Sequence, residues 1–217
     1  AASTAFPPSS SISDPAWAAG AVSAAHPLAA QAGSEMLELG GNAVDAAVAA
    51  AFSLAVVEPS MSGLGGRVQI LIRTPDGNHV GIDGTTQAPL SYDPDTAPQA
   101  GYGYAVIGVP GVPAALLKAH NQFGVLPRST VMAEAIRLAE EGFELLPNEA
   151  ARHAAAAEEL SEFPGSRAKF LRPDGSTYAA GALFRQPILA RTLRTLAEEG
   201  EEAFYRGSIA REIARDI

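Results

Sequence analysis

An α/β fold is what this 217-residue sequence predicts, and three observations carry the prediction. Apolar residues recur at helical spacing in several segments that open on Pro, Asn, Ser or Thr and close on Gly. Two β-rich runs flank a Pro75-Asp-Gly-Asn78 turn. The chain is also long enough to bury one domain's core, with 47% hydrophobic residues.

In chain order, residues 1–19 are rich in Ser, Ala and Pro without periodicity. They read as a flexible leader, and residues 20–217 as one domain. With no initiator Met and no apolar signal core, the leader is consistent with removal of a targeting peptide. His26-Pro27 opens the first helix, since Pro suits the first helical position. Ala30, Gly33, Met36 and Leu37 mark its period, and Gly40-Gly41 stops it. Asn42 is a good N-cap for a second helix from Ala43 to about Val57, small and apolar throughout and therefore buried. Val68–Arg73 and His79–Asp83 form a hairpin, the first run apolar on both faces as in a sheet covered on both sides.

Residues 89–103 read as loop, and Val106-Ile107 as a short strand. A helix follows near Val112–Phe123. Ser129 or Thr130 caps another that reaches Glu141 and ends at Gly142. Asn148 starts an alanine-rich helix to about Leu160. Arg172–Ser176 is a turn. Pro187 begins a helix with Leu189, Leu193 and Leu196 on one face, closed by Gly200. The last helix starts near Ser208, and Ile209, Ile213 and Ile217 want a partner surface, so the chain reads as a fragment or one half of a larger assembly.

Composition narrows the function. The net charge is −9 without a basic cluster, which argues against nucleic acid. The longest apolar run, residues 43–57, is too short for a bilayer and contains Asp45. With no cysteine there is no thiol chemistry, disulfide or thiolate metal site. His26, His79, His120 and His153 are scattered, and each reads as a turn or surface residue rather than a metal ligand.

The stretch Met61-Ser-Gly-Leu-Gly-Gly-Arg-Val68 concentrates glycine beside a cation. Such glycines serve a backbone that passes close to something or visits φ > 0. A phosphate cradle is excluded by order, because here a helix precedes the glycines and a strand follows them. A tight turn between buried elements stays open as the plain reading, with Ser62 and Arg67 incidental.

At this point the chain resembles a known family, the γ-glutamyltransferases. The resemblance rests on residues 24–66 (AAHPLAAQAGSEMLELGGNAVDAAVAAAFSLAVVEPSMSGLGG) and then, in the same order, on DGTTQAP, GVPGVPAALLKAHNQFG, EAIRLAEEGF, LFRQPILARTLRTLAEEG and AFYRG. It spans about Gly20 to Gly207. The resemblance implies an N-terminal-nucleophile hydrolase with a four-layer αββα sandwich, made as a zymogen that cuts itself into a large and a small chain. This chain would be the first part of the large subunit of that heterodimer. The threonine nucleophile would lie on the small chain, with its own α-amino group as base, so no catalytic residue is expected here. The substrate would be a γ-glutamyl or related acyl amide, as in glutathione metabolism, with no cofactor and no metal. A periplasmic or secreted location goes with the resemblance.

Two departures bear on specificity. Where the family usually reads D-x-R-E-x-A-P, its arginine gripping the donor's α-carboxylate, this chain has Thr85, and Thr86 replaces the acid. A hydroxyl cannot replace a guanidinium fork. The family also usually carries Gly or a small acid at Arg67 and an aromatic at Gln69. The expected substrate-binding residues are therefore Arg67, Thr85, Thr86 and Gln87, with Ser62, Gly63, Gly65 and Gly66 shaping the pocket. Arg67 either supplies the cation that Thr85 lacks or pairs with Asp83, Glu58 or another acid. An acylase for dicarboxylic or other small acyl amides, and a non-catalytic relative binding a peptide or small acid, stand as alternatives.

Overall fold

A buried alanine-rich helix organises the chain. The computed structural model describes residues 20–97 and 100–217, so the expected leader at 1–19 lies outside the described residues. Helix α1 (Pro27–Glu38) is capped by His26, whose Nδ1 accepts from Leu28 N at 3.2 Å. Helix α2 (Ala43–Val57) starts in a capping box: the Asn42 side chain accepts from Val44 and Asp45 N–H, and Asp45 Oδ2 accepts from Asn42 N at 2.9 Å. Asp45 is fully buried, which is tolerable because it also accepts from Val125 N at 3.1 Å. Small side chains let α2 lie close to α1, to α3 (Val112–Phe123) and to α4 (Arg128–Glu141).

Strands β1 (Val68–Arg73) and β2 (His79–Gly84) pair antiparallel, with Gln69 opposite Asp83 and Ile70 opposite Ile82. Val68, Ile70, Ile72, Val80 and Ile82 pack on the core. The other face is open among the described residues, and Leu71 there is 75% exposed. The expectation of a sheet covered on both sides is thus met on one side.

Several sequence expectations are corrected. Val106-Ile107 is no strand: Tyr104–Val106 form a 3-10 turn, and the strand-like pairing falls on Val109, which bridges Gln87. Gly108 and Pro110 leave too short a run for a ladder. Neither Ser129 nor Thr130 caps α4, whose N-cap position is Pro127. The helix expected from Asn148 to Leu160 is two, α5 (Pro147–Ala155) and α6 (Ala157–Glu162), parted at Ala156. Between His153 and Leu160 no side chain is both large and apolar, so nothing anchors a straight continuation to the core.

A short helix α7 (Pro164–Phe170) follows, and β3 (Phe143–Glu144) pairs with β4 (Leu183–Phe184). Helix α8 (Pro187–Glu199) buries Leu193 and Leu196 against the core it shares with α4. Helices α9 (Glu201–Tyr205) and α10 (Ser208–Asp216) complete the chain. Ile209 and Ile213 pack on the core, while Ile217 stays exposed.

The histidines are a further correction, since His26, His120 and His153 are all buried and only His79 is on the surface. Burial follows from local partners: His26 caps α1, His120 Nε2 lies 2.9 Å from Leu126 O, and His153 packs between Phe170 and Phe184. Among the described residues no group of three His, Cys, Asp or Glu is placed to hold a metal, and no helix is long and apolar enough to cross a membrane.

Candidate functional site

The glycine stretch leaves α2 through a tight turn in which Met61 N and Ser62 N both donate to Glu58 O. None of Gly63, Gly65 and Gly66 has positive φ, so the turn does not need them for their conformational freedom. A Cβ on Gly63 or Gly65 would enter open space. What these glycines supply is clearance. One side of the loop lines a cavity of about 700 Å³ with Ser62, Gly63, Gly65, Gly66, Val68 and Leu116. Among the described residues, Arg67 is the one charged side chain lining it. The other side borders a second cavity of about 470 Å³ with Lys169, Arg185 and Gln186.

The loop's end is pinned. Gly66 O accepts from Gly111 N at 3.0 Å and from Val112 N at 3.3 Å, joining the glycine stretch to the start of α3. A Cβ on Gly111 would lie 2.0 Å from Gly84 O, so only glycine permits this approach of α3 to the end of β2.

Thr85 follows directly and is not a vacant position. Its hydroxyl donates to Asp83 Oδ1 at 2.5 Å and accepts from Gln69 Nε2 at 2.8 Å, while its N–H donates to the same Oδ1 at 2.9 Å. Gln69 Nε2 adds a third donor to Oδ1 at 2.6 Å. The Thr85 hydroxyl, its N–H and Gln69 hold the Asp83 carboxyl below its usual range. An exposed carboxylate therefore stands beside Thr85.

Arg67 is exposed and forms no ion pair or hydrogen bond among the described residues. Of its two named rivals, Asp83 is engaged by Gln69 and Thr85, and Glu58 binds Arg152 Nη1 at 2.7 Å. Thr86 is half-buried against Gly108, and Gln87 is exposed in its bridge with Val109. Both border a different cavity, of about 650 Å³, along the 89–108 loop. The expected residues thus divide: Arg67 with Ser62, Gly63, Gly65 and Gly66 at one cavity, Thr86 and Gln87 at another, and Thr85 just past the end of β2, lining neither.

Sequence reasoning missed the group beneath the loop. Glu149 on α5 accepts from Ser60 N at 2.9 Å and from Ser60 Oγ at 2.6 Å. Its neighbour Arg152 holds Glu58, and His153 Nε2 lies 3.3 Å from Glu149 Oε1 without the alignment of a hydrogen bond. Burial raises the Glu149 carboxyl, but His153 and the Ser60 hydrogen bonds outweigh it and leave the group below its usual value. The spacing of Glu149, Arg152 and His153 puts them on one helix face. Nothing in the sequence ties that face to a serine 89 positions earlier.

The solved structures on which this chain superposes are N-terminal-nucleophile hydrolases, and its α/β fold is of that class. The sequence profile described as gamma-glutamyltranspeptidase matches residues 29–217, and the chain belongs to that family. It is 37% identical over 201 residues to the acylase ACY 1 proenzyme of Pseudomonas sp. (strain V22), covering 86% of this chain and 36% of that protein. It is 37% identical over 195 residues to glutathione hydrolase 2 of Arabidopsis thaliana, covering 85% and 32%. The crystal structure of Helicobacter pylori gamma-glutamyltranspeptidase superposes with a TM-score of 0.88 at 33% identity, over 91% of this chain and 59% of that one. The chain therefore spans about a third of the length of these curated relatives.

Proposed function

We propose that this chain forms part of the acyl-donor pocket of an amide-cleaving hydrolase or transferase. The threonine nucleophile begins a second chain cut from the same precursor. Its hydroxyl attacks the amide carbon while its α-amino group takes the proton and passes it to the departing nitrogen, so the C–N bond breaks to give a threonine ester and a free amine. Water or an acceptor amine then releases the acyl group from the threonine ester. In this reading Arg67 anchors the donor's carboxylate from the loop side. The observation that carries it is that, among the described residues, Arg67 is the one charged group lining the loop cavity, while the Thr85 hydroxyl is occupied by Asp83 and Gln69. A periplasmic or secreted location belongs to the same reading, and cell fractionation tests it.

A second reading rests on Asp83. Its ionised carboxylate, next to the family's carboxylate-binding position, repels a donor carboxylate placed there. A donor with no carboxylate at that end avoids the repulsion, which makes the protein an acylase for simple acyl amides.

Initial rates of the complete two-chain protein on γ-glutamyl anilide, glutaryl anilide and a simple acyl anilide separate the readings. Under the first, the γ-glutamyl and glutaryl compounds outrun the simple acyl one, and Arg67→Ala raises their KM by about tenfold or more. An unchanged KM in a folded Arg67→Ala enzyme removes Arg67 from the donor site. A simple acyl anilide that matches the others establishes the acylase reading.

A further inference from the structure

We infer that Glu149 is a positioning residue for the donor-binding loop, acting through Ser60; the inference rests on the proposed donor site. Helix α5 is only nine residues long, and two of its three buried side chains, Glu149 and His153, are polar. A helix that short gains little from apolar packing, so its buried polar face has another use. Glu149 is 1% exposed and grips Ser60 twice, at the backbone N–H and the hydroxyl. Three residues along the same helix, Arg152 holds Glu58 and lies 3.5 Å from Glu149 Oε2, which balances the buried carboxylate.

The two grips fall on the turn Glu58–Ser62, whose own bonds run from Met61 N and Ser62 N to Glu58 O. Beyond that turn the loop's own ties are few: Gly66 N donates to Gly63 O at 3.2 Å, and Leu64 is its one side chain buried in the core. Gly63, Gly65 and Gly66 have no side chains to pack, and Gly63 and Gly65 border open space. Besides Leu64, the loop is positioned from its two ends: by Gly111 and Val112 at Gly66 O, and by Glu149 and Arg152 at the base. Loss of the base grip leaves Ser62 to Arg67 held only by Leu64 and the Gly66 end, and so loosens the wall that carries the proposed carboxylate anchor. Glu149 does not itself line the loop cavity, so its effect reaches the substrate only through the loop.

Glu149→Gln keeps the size but cannot accept from both the Ser60 N–H and hydroxyl through oxygen. Ser60→Ala removes only the hydroxyl arm. Both variants are made in the complete two-chain protein, with hydrogen exchange read on the peptide covering residues 61–67 and steady-state kinetics read on the preferred anilide. The expected results are exchange at 61–67 faster by about tenfold, with α8 unchanged, and KM raised more than kcat is lowered. The double variant should be no worse than Glu149→Gln alone, because both changes break one linkage. Ser60→Thr, which restores a hydroxyl, should return KM towards wild type.

Unchanged exchange at 61–67 in folded Glu149→Gln overturns the inference. So does faster exchange across the whole chain with an unaltered KM, which makes the group merely structural. If the wild-type enzyme turns over none of the anilides, the proposed function fails, and the exchange arm still decides whether Glu149 holds the loop.

Discussion

At the level of single residues, the contrast among glycines separates space from strain. Gly63 borders open space, whereas a Cβ on Gly111 would lie 2.0 Å from a backbone oxygen, although both have negative φ. Gly63→Ala should therefore change stability by no more than about 1 kcal/mol. Gly111→Ala should cost about 3 kcal/mol or more, because backbone rather than a flexible side chain must move. Thermal unfolding of the two variants tests this, and a Gly111→Ala protein that melts with the wild type would refute the close approach. The sequence made the glycine stretch conspicuous and Gly111 ordinary, since clustering is visible along a chain and a contact between α3 and β2 is not. Thr85 shows the same limit. Its difference from the family is legible in one letter, but its engagement by Gln69, 16 residues back, appears only when β1 and β2 pair.

At the level of elements, boundaries set by local chemistry were legible. The starts of α1 and α2 were read from Pro27 and Asn42, and the ends of α4 and α8 from Gly142 and Gly200, all correctly. Where tertiary anchoring decides, as at Ala156, the break was not legible. The cap of α1 has a pH consequence. His26 Nδ1 accepts from Leu28 N, so it must be unprotonated, and burial pushes the ring's pKa down from 6.5 against the pull of Glu58 and Glu149. With the folded pKa below the unfolded one, the unfolded chain binds more protons as pH falls below 6.5. The stabilising contribution of neutral His26 is complete above that value and declines on acidification towards the folded pKa. His26→Asn keeps an acceptor for Leu28 N and does not titrate. Its melting temperature should vary less than that of wild type between about pH 7 and pH 5. Parallel pH profiles for the two proteins would show that His26 has no part in the acid sensitivity.

For the whole molecule, the sheet defines what is incomplete. The family resemblance, carried by six segments in order, made the fold class legible, but one sequence could not show that the expected site residues divide between two cavities. The hairpin covers one face with helices and leaves Leu71 three-quarters bare beside Gln69, Asp83 and Thr85 on the other. A four-layer sandwich needs a second sheet against that face. The prediction is that chain outside this one supplies it, the matched relatives being about three times as long. Leu71→Lys tests this. In the isolated chain the substitution adds a charge to an exposed strand position and should alter stability by about 0.5 kcal/mol at most. In the complete protein the same lysine would be buried against the second sheet, and the loss should reach about 2–3 kcal/mol from the leucine side chain alone. Denaturant midpoints for both proteins, with and without the substitution, give the comparison. If Leu71→Lys is neutral in both, the open face is a solvent face, and the loop cavity beside Arg67 alone remains for the donor. If it is costly only in the complete protein, the face carrying Gln69, Asp83 and Thr85 looks into the sandwich, where an ionised Asp83 can discriminate between donors.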